Sequence, residues 1–109
     1  DKLYEAMTQI CVETGIGIIP IIHLKRVQGK KFNKGDEVEL TDLRGSAGAE
    51  QMSWNVWALE RNQQAEDGTK DLVRIRVLKN RTMGFTGLAD TLRYDHTTGR
   101  LSLHQAEDY

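Results

Sequence analysis

Apolar residues recur at three- and four-residue intervals along the start of the chain: Leu3, Ala6, Met7, Ile10 and Cys11. That spacing predicts an amphipathic helix, with Gly15 as its natural stop. Over residues 16–24 the pattern becomes a nearly continuous apolar run rich in β-branched side chains. A run without alternation predicts a strand buried on both faces, as in a parallel sheet covered by helices. Pro20 within it removes one ladder hydrogen bond and points to an edge or an irregularity.

Residues 25–35 read as a loop, basic and broken by Gly29, Asn33 and Gly35. A second loop over 41–46 leads into a short helix around 47–53. Strands are predicted over 55–61, 72–78, 88–94 and 100–104. A polar loop (62–70), a glycine-bearing turn (81–87) and a hairpin turn (95–99) separate them, with Gly99 free to take positive φ. Residues 105–109 read as a frayed tail. The order of helix, buried strand, helix and further strands predicts an α/β fold. Its core sheet should be mostly parallel, continued by antiparallel strands at its C-terminal edge. The chain shows no internal repeat, low-complexity tract or second domain.

The 109 residues hold 15 Lys plus Arg against 16 Asp plus Glu, so total charge identifies no partner. A single cysteine, Cys11, excludes an internal disulfide and a thiol metal cluster. Its helical core spacing predicts a buried thiol in a reducing compartment. No apolar run approaches the length of a membrane span. The first residues lack a signal segment and an initiator methionine, and they read as the middle of a helix. The chain is therefore expected to be an excised piece of a longer protein.

Some chemistry is excluded. There is no G-x-x-x-x-G-K-[ST]; Gly29-Lys30-Lys31 has the wrong spacing and lacks the hydroxyl that binds magnesium. No His or Cys pair has zinc-ligand spacing, and neither Ser46 nor Ser53 lies in a nucleophile elbow. The expected metal set is empty, and the chain alone is not a complete enzyme.

Three segments stand out. His23, at the carboxyl end of the predicted 16–24 strand, is placed either to sense a phosphate or to be a satisfied core histidine. Lys25, Arg26, Lys30, Lys31 and Lys34 put five cations within ten residues. With Arg44, Gly45 and Ser46 they suit phosphate oxygens, although a solvated basic loop has the same composition. Lys79 and Arg81, followed by Gly84 and Gly87, could be held out to a neighbouring subunit's triphosphate or could mark an ordinary turn.

Leu43-Arg44-Gly45-Ser46 with Glu50-Gln51, the stretch from Ala58 to Gln64, and Lys79-Asn80-Arg81-x-x-Gly84-x-x-Gly87 together resemble the DnaB-like replicative helicases. Among these the chain looks most like the bifunctional primase-helicases of phages, a group related to the mitochondrial helicase Twinkle. The resemblance covers residues 14–103, with motifs in the family's order and spacing. It implies the C-terminal part of a RecA-like motor domain, lying after the phosphate-binding loop. The whole protein would be a homo-hexamer around single-stranded DNA that unwinds 5′ to 3′ on ATP or dTTP with Mg2+.

By position, His23 matches the γ-phosphate sensor. Residues 25–34 match the first DNA-facing loop, and Arg44, Gly45 and Ser46 fall in the second. Gln51 matches the residue linking nucleotide and DNA, and Arg81 matches the arginine finger, with Lys79 beside it. Arg61 and Tyr94 match the pair that sandwiches the base. Primase and polymerase are further expected partners, the expected location is the cytoplasm of a bacterial or phage-infected cell, and no membrane is involved. Glu50 and Trp54 depart from the phage pattern, which tends to have Arg and Asp there. One rival reading is a non-catalytic nucleic-acid-binding module gripping through loop 25–34. Another is a ring-joining paralogue that has lost hydrolysis.

Overall fold

Alternation is clearest in the first strand of the C-terminal half. In the strand Asn55–Glu60 (β1), Ala58 and Glu60 turn inward while Trp57 and Leu59 turn out. The computed structural model describes residues 2–43 and 48–104. Before β1 come a helix, Lys2–Thr14 (α1), a 3-10 turn, Leu40–Leu43, and a single-turn helix, Ala49–Met52 (α2). After it come a second 3-10 turn, Gly68–Asp71, and the strands Leu72–Asn80 (β2), Gly87–Asp95 (β3) and Arg100–Leu103 (β4).

The four strands form one sheet in the order β1-β2-β3-β4, and every neighbouring pair is antiparallel. This corrects the expected mostly parallel, RecA-like core. Parallel neighbours need a crossover of roughly a dozen residues or more, usually a helix. Here successive strands are joined by turns and one loop without a helical crossover, which leaves only antiparallel pairing. The run over 16–24, expected as the buried core strand, belongs to no strand of the sheet. Ile16, Ile19 and Ile21 are 54%, 85% and 86% exposed. An apolar β-branched run favours extension, but a strand exists only where a neighbour accepts its ladder hydrogen bonds.

α1 forms as its periodicity predicts and ends at Gly15, whose φ of 76° places it in the left-handed region. Cys11 is half-buried rather than buried. Among the described residues the apolar core is small: Val38, Leu43, Ala49, Ala58 and Leu72. It lies under the β1 end of the sheet, where residues 35–43 and α2 pack. The opposite face stays open, with Trp57, Leu59, Leu101 and Leu103 all more than half exposed. A radius of gyration of 15.9 Å exceeds the roughly 13 Å of a compact chain of similar length. No helix among the described residues is long and apolar enough to cross a membrane.

Candidate functional site

The most enclosed polar group is Glu60, at the inward end of β1, with its side chain fully shielded from solvent. It stands opposite Arg74 and diagonal to Arg76, because Ala58 pairs with Arg76 in the register. Arg76 Nε donates to Oε2 at 2.7 Å and Arg74 Nε to Oε1 at 3.2 Å. The Val38 backbone N–H donates to Oε2 at 2.8 Å. Burial pushes the carboxyl's pKa up, but the bonds from Arg76, Val38 and Arg74 outweigh it and hold the group below its ordinary value.

This cluster anchors the basic loop. Arg74 also donates to the Gly35 carbonyl, the Gln63 N–H donates to Asn33 O at 2.9 Å, and Lys34 bridges to Asn62. Gly35 has a φ of 87° and lies so close to Asn62 that a Cβ would sit 3.2 Å from its backbone nitrogen. Residues 24–34 thus curl over the end of β1 around an open hollow of about 690 Å³. All its lining residues come from that single stretch.

The five cations of the loop are not equivalent. Lys25, Arg26, Lys31 and Lys34 are exposed, whereas Lys30 is half-buried and turned back into the chain. Its Nζ lies 2.8 Å from Asp42 Oδ2 and 3.5 Å from Glu39 Oε1. The hydrogen bond to Asp42 holds its ammonium above the usual range. Lys30 is thereby a tie between the loop and the Leu40–Leu43 turn, with its charge already answered. His23 is exposed at the start of the same loop, on the extended segment that joins no sheet. Arg44, Gly45 and Ser46 lie outside the described residues.

Three of the expected catalytic residues meet at the end of α2. Lys79 Nζ donates to Glu50 O at 2.8 Å and to Gln51 O at 3.3 Å, and Arg81 Nη2 donates to Gln51 O at 3.2 Å. The last carbonyls of a helix lack intrahelical partners, and cations answer both their hydrogen bonding and their dipole. Arg81 N–H also donates to Trp54 O at 2.9 Å, continuing the β1–β2 pairing past Asn55 and Asn80. Its guanidinium lies 5.0 Å from the centre of the Trp54 ring, a cation–π contact. Lys79 and Arg81 are therefore folded onto their own chain, beside the segment that carries Gln51.

Arg61 and Tyr94, the expected base-contacting pair, come from the ends of β1 and β3. Two residues that sequence reasoning missed connect them through a chain of contacts. Arg61 Nη2 is 3.7 Å from Asp71 Oδ1, and His96 Nε2 donates to the same oxygen at 2.6 Å. The His96 ring meets the Tyr94 ring edge-on, with centroids 4.9 Å apart and planes at 89°. The bond from His96 holds the Asp71 carboxyl below its ordinary value against partial burial, helped by the charges of His96, Lys70 and Arg61. The Glu60 cluster was legible in principle: an acid at an inward position of β1 and arginines two apart on β2 are complementary. No local pattern signals Asp71, His96 or the Arg81–Trp54 contact.

Among the described residues no group of three His, Cys, Asp or Glu side chains could hold a metal ion.

No family model matches the chain. It is 40% identical over 102 residues to a DNA helicase/primase of Enterobacteria phage T3, an alignment covering 93% of this chain. The same alignment spans 18% of the phage protein.

Proposed function

Because this chain is homologous, along nearly all its length, to a segment of a phage DNA helicase/primase, we propose that it is the DNA-loop and arginine-finger part of such a helicase motor. The observation that carries this reading is the 40% identity over 93% of the chain. The clustering of Gln51, Lys79 and Arg81 around the end of α2 supports it.

In the whole protein, Lys25, Arg26, Lys31 and Lys34 face the phosphates of single-stranded DNA, with Arg44, Gly45 and Ser46 as the second contact loop. His23 senses the terminal phosphate. Gln51 couples the nucleotide and DNA sites, a role supported by the bonds that Lys79 and Arg81 make to the carbonyls of α2. Arg61 and Tyr94 stack on the base of ATP or dTTP, which suits an arginine plane and an aromatic ring and tolerates different bases. Arg81 leaves Trp54 to neutralise charge developing on the triphosphate of the adjacent subunit of a hexamer. An exposed cation–π contact is worth about 0.5–1 kcal/mol and the exposed bond to Gln51 O about as much, so that exchange costs little beside the charge it answers.

The whole protein is expected to hydrolyse nucleoside triphosphates faster in the presence of single-stranded DNA. It should also displace a strand from forks bearing a 5′ tail but not from those bearing only a 3′ tail. Hydrolysis indifferent to DNA, or the opposite tail requirement, would remove the helicase reading. The 109-residue chain alone should show no turnover, since its sequence carries no G-x-x-x-x-G-K-[ST] loop to cradle the phosphates and its described residues hold no metal-ligand group. Turnover that co-purifies with the chain through successive columns would overturn that expectation.

A further inference from the structure

Arg61 is gripped at two points by consecutive residues of the turn before β2. Its Nε donates to Lys70 O at 2.5 Å, and its Nη2 lies 3.7 Å from Asp71 Oδ1. Asp71 Oδ1 also accepts from His96 Nε2 at 2.6 Å, and His96 abuts Tyr94 edge-on. A continuous chain of contacts thus runs Arg61–Asp71–His96–Tyr94 across three elements that are distant in sequence. The turn after β3 places His96 two residues past Tyr94. Within that turn, Thr97 N–H donates to Asp95 Oδ1 at 2.8 Å and Gly99 N–H to Asp95 O at 2.7 Å.

A surface ion pair of this kind adds little to stability, because water screens it and ordering its side chains costs entropy. The cluster has a clearer use. Stacking on a base requires two flat groups held in fixed orientation, and neither a guanidinium on a flexible stem nor a half-buried phenol ring orients itself. Asp71 restrains the first and, through the imidazole, the second.

We propose that Asp71 and His96 are positioning residues for nucleobase binding, fixing the planes of Arg61 and Tyr94 so that a nucleoside triphosphate's base is received between them. The proposal rests on the reading of Arg61 and Tyr94 as the base-stacking pair. It adds two residues that the family resemblance does not supply.

The test compares ATP with inorganic triphosphate, which offers the same phosphates and no base, as ligands of the full-length protein. Asp71→Ala and His96→Ala are each expected to weaken ATP binding on the order of threefold to tenfold, part of what a lost stacking contact costs. Affinity for triphosphate should stay at the wild-type level. His96→Phe keeps a ring against Tyr94 but cannot bond Asp71, and should fall between wild type and alanine. Equal weakening of ATP and triphosphate would mean a general structural role and overturn the proposal. Unchanged ATP binding in both alanine variants, with Arg61→Ala still defective, would overturn it while leaving the stacking pair intact. Unchanged binding in Arg61→Ala as well would remove the stacking pair and the proposal together.

Discussion

Glu60 and Arg76 lie on adjacent strands with Arg76 Nε 2.7 Å from Glu60 Oε2, and this contact ties β1 to β2 on the inward face of the sheet. The same carboxylate binds Arg74 and the Val38 N–H. Arg74 in turn reaches Gly35 at the loop's end. With only five buried apolar side chains among the described residues, this ion cluster specifies more of the packing than usual.

Glu60→Ala removes the acceptor shared by two guanidiniums and one backbone N–H, leaving Arg74 the Gly35 carbonyl and Arg76 the more distant Glu37 at 3.6 Å. Breaking a buried pair from one side costs about 3–5 kcal/mol, which is comparable to the whole stability of many small domains. The urea transition of the chain is expected to shift to far lower denaturant or to disappear. A loss under about 1 kcal/mol is what an exposed ion pair would give, and would show that the cluster is open to water in solution.

The pH dependence follows from the same group. Glu60 binds its proton more weakly folded than unfolded, so between the two pKa values the unfolded chain holds more protons and stability rises with pH. Its contribution is complete above the unfolded value of about 4.3 and is lost as pH falls through the lower folded value. Unfolding midpoints should therefore be nearly flat from neutrality down to about pH 5 and drop steeply below about pH 4. Glu60→Gln should flatten that acid limb, leaving the smaller slope expected from Asp71 and Asp67, whose carboxyls are also held low. An acid limb as steep in Glu60→Gln as in wild type would assign the effect to other groups.

Salt dependence separates the loop cations. Each contact with a single-strand phosphate contributes about 0.7 to the slope of log affinity against log salt. Lys31→Ala or Arg26→Ala in the full-length protein should reduce the slope by about that amount. Lys30→Ala should reduce it much less, because Asp42 and Glu39 already answer its charge. Equal effects at the three positions would mean that Lys30 leaves Asp42 when DNA binds.

Arg81→Ala in the full-length protein should keep nucleotide and DNA affinity but slow hydrolysis, on the order of a thousandfold if the effect matches other arginine fingers. Mixing Arg81→Ala subunits with phosphate-loop mutants should restore part of the activity, since some interfaces then hold both intact elements. In rings shown by native mass spectrometry to be mixed, and alongside a pair known to complement, no recovery would place Arg81's role within its own subunit.

Much of the chain was legible from local pattern. α1 and its glycine stop, the four C-terminal strands, the turn at Gly99 and the basic loop each follow from periodicity or turn chemistry confined to a few residues. The sequence also carried the family, through short motifs whose order is informative even where each is weak. What it could not decide was pairing. The 16–24 run has the composition of a buried strand, yet ladder hydrogen bonds require a neighbour, and no strand of this sheet provides one. Tertiary structure alone set the partners of the charges as well. Lys30 is spent on Asp42, Arg81 lies over Trp54, and Asp71 with His96 spans Arg61 and Tyr94. A side chain's type limits what it can bind, but its partner depends on which distant segments the fold brings within about 3–4 Å, and no local spacing encodes that distance.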